Sequence, residues 1–220
     1  MIPFKPDNPK SRLSSVFSEK ERRIFVELSL ENVFTVLRES GIHQIDILSK
    51  SRLPAEDENR LHELAGEDCF LKILIDDRDL STAVNAYLIE SADPVLIVMA
   101  DLALLRREDV AAMISSVEES HGAAEQNMKL IRLAPGKDGG TNMIYIEAPD
   151  LFEVNYYGES CKKHREEAKR KNLACDIYKS FYAAADMDEP EDLQDIINHD
   201  GDSGGKLRDF VCAALQRNQI

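Results

Sequence analysis

The run PVLIVMAD, residues 94–101, constrains this chain more than any other stretch. From Val95 to Ala100 every side chain is apolar, so no alternation leaves one face for water. A strand of that kind is buried on both faces, and the usual setting is a parallel sheet covered by helices on each side. The segments around it agree. IPF, QIDILS and FLKILID read as strands, and EKERRIFVELSLENVFTVLRES, PAEDENRLHELAG and DLSTAVNAYLIESA as helices between them. RREDVAAMISSVEESHG reads as a further helix, closed by Gly122. In the first helix Ile24, Phe25, Leu28, Val33, Val36 and Leu37 mark one face. Ser18 followed by Glu21 is a capping-box signature, and Gly41 supplies the stop. The alternation of strand and helix predicts a parallel sheet with right-handed crossovers.

The remainder is less regular. MKLIRLA and TNMIYIEA read as strands joined by the turn PGKDGG, followed by a basic helix over about 160–172. LACDIYKSFYAAAD reads as extended chain, EPEDLQDIINH as a short helix, and GGKLRDFVCAALQRN closes the sequence. There is no internal repeat and no low-complexity linker, so the expectation is one α/β domain over residues 1–220 with a mixed sheet. Absence of a long apolar run or an apolar leader segment predicts a cytoplasmic protein without a membrane partner. Cys69, Cys161, Cys175 and Cys212 form no C-x-x-C pair, and the histidines show no metal spacing, so reduced thiols are expected.

Acids outnumber bases 41 to 27, for a net charge of −14, which argues against a nucleic-acid or anionic-membrane partner. Local exceptions therefore carry information. Residues 1–23 hold six bases against three acids, and Lys162-Lys163-His164-Arg165 with Lys169-Arg170-Lys171 forms a second basic spot. Two basic spots on an acidic protein point to a small anionic ligand. The first lies just after strand one, where open α/β sheets place ligands. Lys5, Lys10 and Arg12 there can meet phosphate oxygens, although the loop is neither a Walker loop nor a dinucleotide fingerprint.

Three further groups stand out. Asp101 ends the apolar strand, where a carboxylate can hold Mg²⁺ against a triphosphate. Gly139-Gly140, Thr141, Asn142 and Ser160 offer close backbone approach and hydroxyl groups, with Ser160 opening the basic helix. Asp186 and Asp188 in DMDEPEDL could supply a second metal contact. Each has an ordinary structural counterpart: a solvated loop, a cap, a hairpin turn, a helix first turn.

Taken together and in order, KPxxxKSRLS, ADLxLL, DGGTN, the Tyr-Gly-x-Ser stretch running to His164 and D-x-D-x-P-E-D-L resemble the 2-phospho-L-lactate guanylyltransferases over about residues 2–215. The resemblance implies a Rossmann-like, three-layer αβα nucleotidyltransferase fold of the glycosyltransferase-A-like kind, with a mixed, mostly parallel sheet. It implies that GTP and 2-phospho-L-lactate give lactyl-2-diphospho-5′-guanosine and pyrophosphate in coenzyme F-420 biosynthesis, with Mg²⁺ as cofactor and a homodimer as the assembly. By the same resemblance Lys5, Lys10, Ser11 and Arg12 hold the triphosphate, with Lys10, Arg12 and Asp101 catalytic. Asp101 holds the metal, for which Asp188 is the candidate second contact, and Thr141, Gly158 and Ser160 hold the phosphorylated acid. The chain departs from the family pattern at Ala103, at Leu80-Ser81 and at Gly158-Glu159-Ser160-Cys161. Alternatives are a nucleotidyltransferase acting on phosphoenolpyruvate or 3-phosphoglycerate, and a non-catalytic nucleotide-binding module. A glycosyltransferase would carry a D-x-D pair at the metal strand, and Asp101-Leu102-Ala103 is not one.

Overall fold

The computed structural model describes residues 1–6, 9–115, 128–199 and 205–217. In chain order the elements are β1 (Ile2–Phe4), α1 (Glu19–Glu39), β2 (Gln44–Ser49), α2 (Ala55–Ala65), β3 (Phe70–Ile75), α3 (Leu80–Glu90), β4 (Val95–Val98) and α4 (Arg107–Ile114). Then follow β5 (Leu130–Pro135), β6 (Thr141–Ile146), α5 (Ser160–Arg170), β7 (Ala174–Ile177), α6 (Phe181–Ala184), α7 (Leu193–Asn198) and α8 (Lys206–Arg217).

Strands β1, β2 and β3 pair in parallel, with Ile47 of β2 between Ile2 and Ile73. β6 pairs antiparallel with both β4 and β5, and β7 runs parallel to β5. The two ladders meet where the Met1 nitrogen donates to the Leu96 carbonyl at 2.7 Å and the Val98 N–H donates to the Met1 carbonyl at 3.1 Å. The combined order is β3-β2-β1-β4-β6-β5-β7, a mixed and mostly parallel sheet. The apolar run 95–100 thus lies in the middle of the sheet as expected. Its setting differs from the expectation in one respect: one of its neighbours, β6, is antiparallel. That reversal has a consequence for the site, because β6 begins at the same sheet edge where β1 to β4 end.

Helices cover both faces. On one side Phe25, Val33 and Phe34 of α1, Val110 of α4 and Val211 of α8 pack with Ile2, Ile47 and Val98. On the other, Val84 and Leu88 of α3 and Ala168 of α5 pack with Ile97, Ile131 and Ile144. The alternation of Ile97 and Val98 between the two cores is the strand period of two at work. Full burial of side chains such as Phe34 contributes about 1.5–3 kcal/mol each relative to exposure.

The capping box at α1 forms as the sequence predicts: the Ser18 N–H donates to Glu21 Oε2 at 2.9 Å and the Glu21 N–H to Ser18 Oγ at 3.4 Å. Two expectations are corrected. The helix expected over residues 106–122 ends at Ile114 among the described residues, and its expected stop, Gly122, lies outside them. The reason is Arg132 of β5, buried beneath it, whose guanidinium donates to the Met113 carbonyl at 3.1 Å and the Ser115 carbonyl at 3.0 Å. Those carbonyls are the ones a helix end leaves without partners. The stretch 173–186, expected to be extended, is extended only as β7, after which Ser180 Oγ accepts the Ala183 N–H at 3.3 Å and starts α6. Among the described residues no helix is long and apolar enough to cross a membrane.

Candidate active site

The loop after β1 is fastened from below. Leu13 and Phe17 are buried, and they anchor the single turn of tight helix over Ser11–Ser15. Arg22, on α1, donates Nε to the Pro9 carbonyl at 3.2 Å and Nη1 to the Phe17 carbonyl at 3.1 Å, holding both ends of the loop. Between them Lys10 takes a left-handed backbone, φ 49° and ψ 50°, a conformation that carries strain of about 1–2 kcal/mol for a residue with a side chain. The result is that the Lys10 side chain turns inward. Its ammonium lies 2.6 Å from Asp101 Oδ2 and 2.6 Å from Asp188 Oδ1. Burial by itself would lower the Lys10 pKa, but Asp101 and Asp188 outweigh it and hold it above the ordinary lysine value.

Asp101 does not end the strand directly. β4 stops at Val98, Met99 donates its N–H to the Asn142 carbonyl at 3.0 Å, and Asp101 follows at the opening of a turn. Leu102, Ala103, Leu104 and Leu105 behind it are all buried, which fixes the turn and hence the carboxylate. The Ala103 N–H donates to the Asp101 carbonyl at 2.9 Å, a bond that proline at this position could not make. Asp188 is placed by buried Met187 and by Asp192, whose Oδ2 accepts from the Asp188 N–H at 3.1 Å and the Glu189 N–H at 2.9 Å. Lys137 in turn holds Asp192 at 2.9 Å.

The acids gathered here exceed what Lys10 alone neutralises. Burial, and then the charges of Asp101 and Asp188, push the neighbouring Asp186 carboxyl up to about 6. Lys10 engages one oxygen of Asp101 and one of Asp188, leaving each carboxylate a further oxygen. These are hard oxygen donors, the kind Mg²⁺ takes, and Mg²⁺ ordinarily uses one or two carboxylates and completes its shell with phosphate oxygens and water. Among the described residues no three acids, histidines or cysteines form a ready-made cage. The donor set fits an ion shared with a bound nucleotide, not a structural metal.

A cavity of about 440 Å³ opens over this cluster. It brings together the residues singled out in the sequence for the triphosphate and the metal: Lys5, Lys10, Ser11, Arg12, Asp101 and Asp188. Arg12 sits at its rim, largely exposed, with Nη1 2.9 Å from Glu189 Oε1. Ser49, Lys50, Asp76 and Arg78 also line it and escaped the sequence reading. The signal that could have found them is their position: each lies at or just beyond the carboxyl end of β2 or β3, the edge where such sheets place ligands.

Thr141, Gly158 and Ser160 do not line that cavity. They form a second group beside it, where β6 begins and α5 starts. Ser160 Oγ donates to Thr141 Oγ1 at 3.1 Å, and Thr141 Oγ1 lies 2.9 Å from His164 Nδ1. Gly158 has φ 65°, which its lack of a side chain accommodates without strain. Asn142, which the sequence offered as a ligand group, is buried and donates to the Ala183 carbonyl at 3.1 Å; its role is structural. Ser81 accepts the Tyr156 N–H at 2.9 Å, so it braces the loop ahead of α5.

A Rossmann-like sheet with an inward lysine, paired acids and a basic loop at the strand ends defines a nucleotidyltransferase. Solved structures agree on the fold: a protein from Desulfovibrio desulfuricans G20 assigned to the nucleotide-diphospho-sugar transferases superimposes with a TM-score of 0.69 at 18% identity, over 99% of this chain and 93% of that one. More narrowly, the model of the family described as guanylyl transferase CofC like matches residues 1–213, and the chain belongs to that family. The 2-phospho-L-lactate guanylyltransferase of Methanosarcina mazei is 40% identical over 211 residues, covering 96% of this chain and 90% of that protein. The one of Methanosarcina acetivorans is 42% identical over 199 residues, covering 90% of this chain and 86% of that protein.

Proposed function

We propose that the chain joins GMP from GTP to 2-phospho-L-lactate, releasing pyrophosphate and giving lactyl-2-diphospho-5′-guanosine, in coenzyme F-420 biosynthesis. The observation that carries the reading is the inward Lys10, 2.6 Å from each of Asp101 and Asp188 on the floor of a cavity rimmed with basic side chains. A phosphate oxygen of the acid attacks the α-phosphorus of GTP, the bond from that phosphorus to the bridging oxygen breaks, and the electron pair leaves with pyrophosphate. The attacking oxygen is already anionic, so the reaction needs no histidine base and no activated serine. Its requirement is neutralisation of charge at the α-phosphate and on the leaving group.

Lys10 and Arg12 meet that requirement as donors to the phosphates, with Lys5 and Ser11 completing the loop. Asp101 and Asp188 hold Mg²⁺, which when bound supplies charge neutralisation on the phosphate oxygens. Thr141, Gly158 and Ser160 hold the phosphorylated acid. Because β6 is antiparallel, Thr141 reaches the sheet edge next to Met99 and Ala100, which supports an acid site beside Asp101.

The test is pyrophosphate release with Mg²⁺, pairing GTP, ATP and CTP with 2-phospho-L-lactate, phosphoenolpyruvate and 3-phosphoglycerate. Release confined to GTP with 2-phospho-L-lactate is the expected result. Release with another acid moves the substrate assignment and keeps the nucleotide end. Folded protein that releases none with any pair overturns the proposal.

A further inference from the structure

We infer that His164 is a positioning residue: its Nδ1–H donates to Thr141 and thereby leaves one hydroxyl proton of the Thr141–Ser160 pair free to be given to the phosphorylated acid. The inference rests on the assignment of that pair to the acid.

His164 lies one helical turn beyond Ser160 on α5, on the same face. It is fully buried, with its ring against Phe152 at 6.0 Å and edge-on to Tyr156 at 5.2 Å between centroids. The backbone decides its tautomer. The Asn155 N–H points at Nε2 from 2.8 Å, and a backbone N–H can only donate. Nε2 is therefore bare, and the proton of the neutral ring is on Nδ1. Burial first, and the Lys163 charge second, hold the imidazolium pKa down to about 4, while Glu167 acts weakly the other way; the ring is neutral where the protein works.

Counting protons then fixes the direction of the network. Nδ1–H donates to Thr141 Oγ1, so Thr141 accepts. Thr141 and Ser160 have two hydroxyl protons and one bond between them at 3.1 Å. One proton is left, and among the described residues no protein group accepts it. With the opposite tautomer, Nδ1 would take the Thr141 proton, Ser160 would give its own to Thr141, and nothing would remain for a ligand. Phosphate and carboxylate oxygens only accept, so a fixed donor in a neutral corner suits an acid that carries both groups.

Two measurements decide it. In ¹⁵N-histidine NMR of the free protein, His164 is expected with Nδ1 protonated and Nε2 bare; the reverse tautomer overturns the inference whatever the substrate. In steady-state kinetics His164→Phe is expected to raise KM for 2-phospho-L-lactate roughly tenfold, the scale of one hydrogen bond, with KM for GTP unchanged. His164→Asn, whose amide can stand where Nδ1–H does, is expected to restore KM for the acid to within about threefold of wild type. Thr141→Val is expected to match His164→Phe, and the double variant to add nothing, since both break one network. Multiplying effects, or an equal rise in KM for GTP, overturn the inference. Should His164→Phe fail to fold, the pair His164→Asn and Thr141→Val decides: a tenfold loss in both sinks the donor argument. Wild-type protein that turns over only another phosphorylated acid corrects the reaction, and the same KM comparison is then read with that acid.

Discussion

The two ends proposed for the site, one for the nucleotide and one for the acid, are built from opposite materials. At the nucleotide end the groups are charged and partly open: Lys10 lies between carboxylates that are 32% and 45% exposed in their side chains. At the acid end they are neutral and closed: Thr141, Ser160 and His164 are all buried and bonded to one another. Ion pairs with exposed partners contribute little to stability, about 0–1 kcal/mol, so they can be exchanged for a ligand's charges at small cost. A buried hydrogen bond that loses its partner costs about 1–3 kcal/mol, so that corner keeps its geometry. The contrast matches the two tasks. In the proposed reaction a triphosphate is handled by matching charge, and a small acid is selected by donors that do not move.

The comparison can be broken most sharply at Asp101. Asp101→Asn keeps the size of the side chain and removes its charge, and turnover should fall about 10³-fold while the melting temperature holds. Binding of a non-hydrolysable GTP analogue should also lose its dependence on Mg²⁺, and a variant that retains this dependence would show that Asp101 is not a metal ligand. Lys10→Ala should lower kcat/KM about 10²-fold, the scale of a lost charged hydrogen bond, with little change in stability because water reaches both carboxylate partners. Large destabilisation with unaltered turnover would reverse the assignment of the two ends.

The neutral end is probed by pH. With His164 at about 4 in the folded protein and 6.5 when unfolded, the unfolded chain binds more protons between those values. Stability from this group is complete above pH 6.5 and is lost as pH falls to 4, by about 3 kcal/mol in all. Denaturant titrations at pH 7 and pH 4.5, compared between wild type and His164→Phe, isolate this slope, since groups common to both, Asp186 included, cancel. An identical slope in the two proteins would contradict a buried neutral His164. The smallest effect belongs to Arg12, at the exposed rim against Glu189: Arg12→Ala should lower kcat/KM about tenfold, and less at high salt.

The wrapping of the fold was legible because its signals are local. Ser18 and Glu21 fix a helix start within four residues, and the unbroken run from Val95 fixes a central strand, whatever lies elsewhere. The length of α4 was not legible, because its end is set by Arg132, which reaches it from another strand. At the site the basic loop, Asp101 and Asp188 could be named from motif order, whereas Lys50 and Arg78 belong to the cavity only because β2 and β3 end there.

The sequence by itself determined the alternation of strands and helices, the acidic surface with its basic loop, and the residue types that phosphate chemistry requires. Only the tertiary structure decided that β6 runs against its neighbours and so carries Thr141 to the edge where Asp101 stands. Only it decided that Lys10 turns inward between Asp101 and Asp188, and that Asn155 sets the tautomer of His164. The physical reason is range. Capping and hydrophobic period act over a few residues, but a carboxylate pair on one ammonium, or a backbone N–H on a buried ring, depends on where distant parts of the chain meet.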